Sequence, residues 1–207
     1  MKILFFLHFY APEVGAASLR AQYFVKALED SGHEVKIITP IPNYPAGKHY
    51  PGFPNKGIKI LKRNGVSYLP IFAPRKQSLM IRGISYISYF ITSLFYSLFV
   101  NFKYDLIITS SPPMSTAFAA VLVSKIKRKP LIVDIRDLWP DIGIELNIIK
   151  NSILIKLLRS IDHFILANSK KLSFHFRVFR ERLIKKNSSL NIVEISNGAD
   201  TSVFETC

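Results

Sequence analysis

Short runs of consecutive apolar residues recur along the chain, and segments of helical length separate them. Strands buried on both faces of a parallel sheet have this continuous apolar character. The pattern therefore predicts strand alternating with helix, in an α/β fold with a Rossmann-like parallel sheet and helices on both faces. The predicted strands are Ile3–Leu7, Val35–Thr39, Leu106–Thr109, Leu131–Ile135, Phe164–Ala167 and Ile192–Ile195. The predicted helices are Ser18–Ser31, Ser78–Phe102, Ser115–Lys127, Ile148–Ile161 and Ser169–Lys185.

The turn between the first predicted strand and the first predicted helix contains the small residues Gly15, Ala16 and Ala17. Backbone N–H groups at such a junction point away from the sheet and bind phosphate. A dinucleotide site needs G-x-G-x-x-G here and an acidic residue after the second strand, but this chain has GAASLR and ends that strand in Thr39. We therefore expect Gly15, Ala16 and Arg20 to contact the diphosphate of another ligand. Arg20 as an ordinary surface residue is the alternative.

The segment from Pro40 to Pro54 contains five prolines and two glycines, which exclude a helix. It follows the second predicted strand, at the edge where open α/β sheets bind their ligands. Asn43 and Tyr44 are therefore predicted to face a ligand. The alternative is a surface loop that only bridges to a strand at Ile58–Lys62.

Three carboxylates, one guanidinium and the only tryptophan of the chain fall within residues 134–141. This segment starts inside a predicted strand and leaves the sheet at the same edge. Charged groups at the end of a buried strand cost free energy unless they are paired or used in function. Arg136 paired with Asp134 or Asp141 is one interpretation. Asp137 as a base or hydrogen-bond acceptor for a hydroxyl nucleophile is another, and the spacing gives no specific support for a metal site.

The charge of the chain is strongly positive, with 28 Lys and Arg against 14 Asp and Glu in 207 residues. Such a surface favours nucleic acid, anionic lipid or phosphorylated small molecules. The basic residues are spread along the chain without a known nucleic-acid-binding motif, so we expect no nucleic-acid partner. Cys207 is the only cysteine, which excludes a disulfide framework. The first apolar run is too short for a signal peptide, so we expect a protein that is not exported.

The segment from Gly83 to Phe102 carries no formal charge, and Arg75, Lys76 and Arg82 precede it. Its length is sufficient to cross a bilayer, but the strand that follows belongs to the same predicted sheet. Two other interpretations are a helix packed on the sheet and a helix whose aromatic residues and flanking cations rest on a membrane surface. The net charge favours the membrane surface. Residues 170–186 form a second basic amphipathic segment that either contacts anionic lipid or is a solvated helix face.

Five motifs follow one another along the chain. They are YAPEVGAASLR from Tyr10, SGHEV from Ser31, PNYPAGK from Pro42, DIRDLWPD from Asp134 and SNGAD from Ser196. Each is weak alone, but in this order they resemble the N-terminal half of family 4 glycosyltransferases. The resemblance covers almost the whole chain and is closest to the enzymes of bacterial capsule, O-antigen and colanic-acid assembly.

The resemblance implies a GT-B fold of two Rossmann-like domains and sugar transfer with retention of configuration, without a metal or other cofactor. It implies a nucleotide-sugar donor, whose diphosphate the Gly15 loop approaches, and a polyprenyl-diphosphate-linked saccharide acceptor. The protein would act in the cytoplasm, peripherally on the anionic inner face of the bacterial membrane. Asp137 is the predicted catalytic residue, and Arg136 stands where many relatives carry histidine. Predicted acceptor contacts are Asn43, Tyr44, Ser110, Ser111, Arg136, Trp139 and Asp141; predicted membrane contacts are Arg75, Lys76, Arg82, Tyr86 and Phe90.

The Glu-x7-Glu motif that is typical of the donor-binding domain in this family does not occur in the chain. We therefore expect residues 1–200 to form the acceptor-side domain and residues 201–207 to begin a linker to a C-terminal domain. That domain would belong to a longer protein or to a separate chain. The alternative is a catalytically inactive membrane-surface or interaction module.

Overall fold

A mostly parallel sheet forms the centre of the computed structural model, which describes residues 1–44, 50–54, 59–72, 79–186 and 189–198. Within these residues the strands are β1 (Lys2–Phe6), β2 (Glu34–Pro40), β3 (Leu61–Arg63), β4 (Val66–Leu69), β5 (Leu106–Ser111), β6 (Leu131–Ile135), β7 (Lys171–Phe174) and β8 (Ile192–Glu194). Their order across the sheet is β3-β4-β2-β1-β5-β6-β7-β8. Every neighbouring pair is parallel except β3 and β4. The predicted Rossmann-like α/β fold is confirmed.

Helices connect the strands and end where their sequences dictate. They are α1 (Ala16–Asp30), α2 (Leu79–Phe99), α3 (Met114–Lys127), α4 (Asp141–Glu145), α5 (Ser152–Ala167) and α6 (Arg177–Lys186). Gly32 follows α1 with a φ of 78°, a conformation that favours glycine after a helix. The Asn151 side chain caps α5 by accepting hydrogen bonds from Ile153 N and Leu154 N, both at 3.0 Å.

The central strand β1 contributes to a core on each face of the sheet. Ile3 and Phe5 pack with α1 on one face, whereas Leu4 and Phe6 pack with α2 and α3 on the other. Alternate side chains of a strand point to opposite faces. An uninterrupted apolar strand is therefore what a sheet covered on both sides requires.

The long helix α2 packs on the sheet with a side that combines hydroxyl-bearing residues and large apolar ones such as Leu94 and Leu98. Ser93 and Ser97 are fully buried, and the buried Tyr89 hydroxyl donates to the backbone oxygens of Leu7 and Ile38, at 2.8 Å each. The isoleucines on the opposite side of the helix face outward. None of the described helices is long and apolar enough to cross a bilayer.

Two predicted elements near the C-terminus are wrong. Phe164–Ala167 is the last turn of α5 rather than a strand, and the strand β7 lies within the predicted helix Ser169–Lys185. A short apolar run fits a buried helix turn as well as a buried strand. Here Ile165 and Leu166 form the buried side of α5. Leu172 and Phe174 are buried residues of β7, which pairs with β6.

The edge hairpin of β3 and β4 is only partly predicted. The expected strand Ile58–Lys62 overlaps β3, although Ile58 lies outside the described residues. Asn64 and Gly65 connect β3 to β4 with φ angles of 45° and 76°. An Asn-Gly pair is the sequence signal for such a turn, and it would have predicted β4.

Candidate active site

Several functional candidates, some of them predicted from the sequence, lie at the carboxyl edge of the sheet. His8 lies just beyond β1, Ser110 and Ser111 end β5, Arg136 follows β6, and His175 follows β7. Ligands of open α/β sheets bind at this edge. The order of the strands therefore brings together residues that are far apart in sequence.

Glu13 holds the loop after β2 against the loop after β1. Its carboxylate is buried and accepts hydrogen bonds from Asn43 N at 2.8 Å and Tyr44 N at 2.9 Å. Burial raises the pKa of Glu13, while these amide hydrogen bonds act in the opposite direction. The Asn43 side chain donates to the Ile41 backbone oxygen, and Tyr44 packs edge-on against Phe9. Glu13 thus positions both predicted acceptor contacts.

The amino end of α1 opens at the same edge. The first backbone hydrogen bond here runs from Leu19 N to Gly15 O at 2.9 Å. The amide groups of the first turn have no intrahelical acceptor, as at any helix start. A Cβ placed on Gly15 would lie 3.9 Å from the Tyr44 ring, so neighbouring groups leave free space above this backbone. This geometry suits the predicted contact with a diphosphate at Gly15 and Ala16.

Arg20 lies in a buried network rather than at a free surface. Its guanidinium makes a two-pronged contact with Asp134, from Nε to Oδ2 at 3.1 Å and from Nη2 to Oδ1 at 2.9 Å. It also donates to Asn197 Oδ1 at 2.7 Å and to the Ile195 backbone oxygen at 2.9 Å. Ser173 Oγ donates to Asp134 at 2.8 Å. The network ties α1 to β6, β7 and the turn after β8.

This network contradicts two interpretations based on the sequence, one for the partner of Arg136 and one for the position of Arg20. Asp134 pairs with Arg20, so the interpretation that pairs Arg136 with Asp134 is wrong. The surface position considered for Arg20 is also wrong, since its side chain is only 9% exposed. Because Arg20 donates to three protein groups, the geometry gives it a positioning role; its contact with a diphosphate stays a prediction.

Arg136 is the cation of this edge that lacks an ion pair. Its Nη2 donates to the Pro112 backbone oxygen, and its Nε is buried without a partner among the described residues. No described carboxylate forms an ion pair with it. Burial lowers the pKa of the guanidinium, against the opposing effect of Asp134 and Asp137. The positive charge is therefore held at the edge with hydrogen-bonding capacity to spare.

His8 is a functional candidate that the sequence reasoning missed. Its ring is 7% exposed and lies edge-on to Phe9, Tyr86 and Tyr89, with centroid distances of 4.8, 4.9 and 5.2 Å. Burial and the nearby Arg136 charge lower its pKa from 6.5 to about 3. His8 is therefore a neutral imidazole near pH 7. Its buried Nδ1 has no partner in the described structure.

Asp137, the predicted catalytic residue, is exposed at the end of β6. Arg136 and His175 are close enough to it for electrostatic interaction. Burial and Arg20 lower the pKa of His175, against the effects of Asp134, Asp137 and the Ile135 backbone. An exposed carboxylate between an arginine and a largely neutral imidazole is able to accept a hydrogen bond from a substrate hydroxyl.

The sequence from residue 15 to residue 198 matches the family described as the glycosyl transferase 4-like domain. The match covers most of the chain. This protein belongs to the glycosyl transferase 4-like family. Among curated proteins, none matches the sequence.

Solved structures share the fold of this glycosyl transferase 4-like domain. Sucrose-phosphate synthase from Thermosynechococcus elongatus is 13% identical, with a TM-score of 0.58 over 98% of this chain and 49% of the synthase chain. A second structure of that synthase is 11% identical, with a TM-score of 0.54 over 98% of this chain and 92% of its own. The domain thus spans about half the length of the first of these two chains.

The other predicted acceptor contacts of the glycosyl transferase 4-like domain differ in accessibility. Ser110 and Ser111 are almost completely buried. The Trp139 ring covers Gly143, where an added Cβ would lie only 2.5 Å from Trp139 Cζ3. Asp141 lies 3.7 Å from Arg159, so that Arg159, and not Arg136, is its cationic neighbour. Packing at Trp139 and Gly143 was not foreseen, because it depends on the short helix α4.

The predicted membrane contacts also occupy different environments. Arg75 and Lys76 lie outside the described residues, and Arg82 is exposed. Tyr86 contacts His8 at the carboxyl edge. Phe90 stacks on Phe118 with ring centroids 5.4 Å apart. Tyr86 and Phe90 thus point toward the site and the core, respectively, and the exposed side of α2 carries other residues. Among the described residues, no cluster of metal-ligating side chains occurs.

Proposed function

We propose that this domain is the acceptor-side half of a retaining glycosyltransferase. It would transfer a hexosyl group from a nucleotide sugar to a polyprenyl-diphosphate-linked saccharide in bacterial surface polysaccharide biosynthesis. The family match supports glycosyl transfer. The observation that carries the proposal is the pair Arg136 and Asp137, which follows β6 at the carboxyl edge of the sheet and forms no ion pair with another side chain among the described residues.

The residues of the edge have complementary roles in this reaction. The bond between the anomeric carbon and the donor phosphate oxygen breaks and leaves its electron pair on that oxygen. The acceptor hydroxyl oxygen bonds to the anomeric carbon, and its proton passes to the leaving phosphate oxygen. Asp137 would accept the hydrogen bond of that hydroxyl and orient it. Arg136 and the first amide groups of α1 would stabilise negative charge on the phosphate groups of the substrates.

A second domain is part of the proposal. The chain spans about half of the synthase structure that shares its fold, and in GT-B enzymes the donor nucleotide contacts the other half. We propose that residues 1–200 form the acceptor-side domain and that residues 201–207 lead into a linker. On its own this domain should bind nucleotide sugars weakly.

The acceptor determines where the protein works. A polyprenyl diphosphate is anchored in the bilayer, so the enzyme would be cytoplasmic and peripheral on the inner face of the membrane. The net charge of +14 favours an anionic surface. Arg75, Lys76 and Arg82 remain the proposed cationic contacts.

The test is transfer by the full native protein from nucleotide sugars to membrane-extracted lipid-linked saccharides, with Asp137→Ala compared to the matched surface variant Asp30→Ala. We expect Asp137→Ala to abolish most transfer and Asp30→Ala, which breaks only an exposed pair with Lys26, to retain it. Equal activity of both variants would exclude Asp137 as the catalytic residue. No transfer by any form, with membrane binding intact, would favour the inactive interaction module.

A further inference from the structure

The outer side of α2 is a continuous apolar stripe. Its large side chains recur at helical spacing, and no charged residue interrupts them. The residues of the stripe and their exposed fractions are Ile84 (49%), Ile87 (59%), Ile91 (46%), Phe95 (58%) and Phe99 (82%). Contiguous exposed apolar surface of this kind marks an interaction site more often than isolated exposed residues do.

The other side of the helix makes the stripe unusual. Ser93 and Ser97 are fully buried toward the domain, while the isoleucines face away from it. The core side also holds the buried Tyr89 and the partly buried Phe90, Leu94, Tyr96 and Leu98, so that α2 is apolar on its inner and its outer side. A helix that served only the core of this domain would have a polar outer side. The composition of α2 therefore fits an apolar environment outside the domain.

The charge around the stripe indicates which environment that is. The helices α2, α3 and α5 cover the same face of the sheet. Their described residues include five cations, Arg82, Lys125, Lys127, Lys156 and Arg159, against one acidic residue, Asp162. Apolar side chains flanked by cations are complementary to a bilayer with anionic headgroups.

We propose that the α2 stripe is the lipid-facing surface of the protein and lies in the plane of an anionic bilayer. This inference rests on the proposed function only for its biological use, which is access to a lipid-linked acceptor. Tyr86, two residues from Ile84, touches His8 at the carboxyl edge with a centroid distance of 4.9 Å. The amino-terminal part of α2 therefore reaches the carboxyl edge, with Tyr86 on its inner side and the stripe on its outer side. An acceptor diphosphate could move from the headgroups around this end of the helix toward Arg136. In this proposal the stripe makes the apolar contact with lipid that the sequence analysis predicted for Tyr86 and Phe90.

The test uses flotation of the full native protein with vesicles of phosphatidylethanolamine and phosphatidylglycerol. The double variant Ile87→Glu/Phe95→Glu changes the stripe. The control Leu19→Glu/Tyr23→Glu introduces the same charge at α1 residues that are 52% and 40% exposed and lie on the other face of the sheet. We expect the stripe variant to lose binding by roughly a hundredfold or more and the control to bind close to the native level. Thermal melts monitored by circular dichroism verify that both variants are folded.

Three results would overturn the inference: unchanged binding of the stripe variant, equal loss in both variants, or a native dimer that the stripe variant dissociates in sedimentation experiments. The last would make the stripe an interface between copies of the chain. Transfer to a short-chain, water-soluble acceptor separates the two proposals. A folded native protein that binds vesicles through the stripe but transfers no sugar contradicts the proposed function and leaves the lipid contact standing.

Discussion

Arg20 and Arg136 lie at the same edge of the sheet, but the structure surrounds their guanidinium groups differently. Arg20 contacts Asp134 through two nitrogens and also binds Asn197 and the Ile195 backbone. Arg136 donates to the Pro112 backbone oxygen and keeps a buried Nε without a partner in the described structure. One cation is compensated inside the protein, and the other is not.

This difference indicates a structural role for Arg20 and a functional role for Arg136 within the same cluster of charges. A largely buried cation without a carboxylate costs folding free energy, since its solvation is lost without full compensation. A protein retains such a group where a ligand supplies the missing partner. We therefore expect loss of the Arg20 network to reduce stability and loss of Arg136 to reduce activity.

The largest expected effect is that of Asp134→Ala, which leaves the buried Arg20 unpaired. Removing one partner of a buried ion pair costs about 3–5 kcal/mol, and we expect a loss in the free energy of unfolding of that order. Urea denaturation measures it. Asp137→Ala is the control, because Asp137 is exposed, and its loss should be small. Similar effects of the two substitutions would remove the distinction between the two charge clusters.

Arg136→Gln should have the next largest effect, on catalysis. Loss of one charge-stabilising donor typically lowers rates by about 10²- to 10³-fold. We expect a decrease in kcat/KM of at least roughly a hundredfold in the full protein, with little change in urea midpoint. Arg136→Lys should recover part of the activity, since it restores the charge but not the planar guanidinium. A large loss of stability with normal kcat/KM would show that Arg136 is structural.

Gly143→Ala tests whether Trp139, near the end of the 134–141 segment, has a structural role like that of Arg20. The new Cβ would lie 2.5 Å from Trp139 Cζ3 and 2.9 Å from Ile149 Cδ1, so the tryptophan must move. Overpacking costs about 1–3 kcal/mol, measured as a decrease in the free energy of unfolding. In the control Gly83→Ala, no atom lies within 4 Å of the added Cβ. Glycine in a helix interior is disfavoured, so the control should be about 0.5–1 kcal/mol more stable. A Gly143→Ala variant with native stability would contradict this packing.

A further prediction concerns the pH dependence of stability and His8. Its pKa is lowered from 6.5 to about 3 in the folded state, so the unfolded chain binds more protons between these values. The free energy of unfolding should therefore rise with pH from about 3 to 6.5. His8→Phe should flatten this part of the profile in urea denaturation, whereas His163→Phe, at an exposed position on α5, should keep its slope. An unchanged slope in His8→Phe would show that other groups cause it.

Continuous apolar runs predicted the strands at the centre of the sheet well. The runs at β1, β2, β5 and β6 are continuous because both faces of the sheet are covered. Prediction failed at Phe164–Ala167, where a helix and a strand bury the same residues and only the contacts with the rest of the sheet distinguish them. These contacts join residues that are distant in sequence.

For the candidate site, the sequence identified the loops at the strand ends but not which charged side chains pair with one another. Position at the strand ends was enough to place Asp137 and Arg136 at the carboxyl edge of the sheet, and their functional roles stay predictions. The partner of Asp134 is 114 residues away, and no local spacing distinguishes Arg20 from Arg136. His8 and Glu13 were missed because a lone polar residue after an apolar strand becomes informative only when its burial is known.

Tyr89 has a consequence for how the domain would approach a membrane-bound ligand. Its phenol joins the middle of α2 to the backbone at the ends of β1 and β2, through contacts of 2.8 Å to Leu7 and Ile38. The helix can neither slide nor roll without breaking these contacts. Hydrogen bonds of Ser85 and Ser88 with the Phe72 backbone, and of Tyr96 with Ser67, hold the helix further. If α2 lies on lipid, the height of the carboxyl edge above the headgroups is then fixed. That height would limit how many sugars can separate a lipid anchor from the residue being extended.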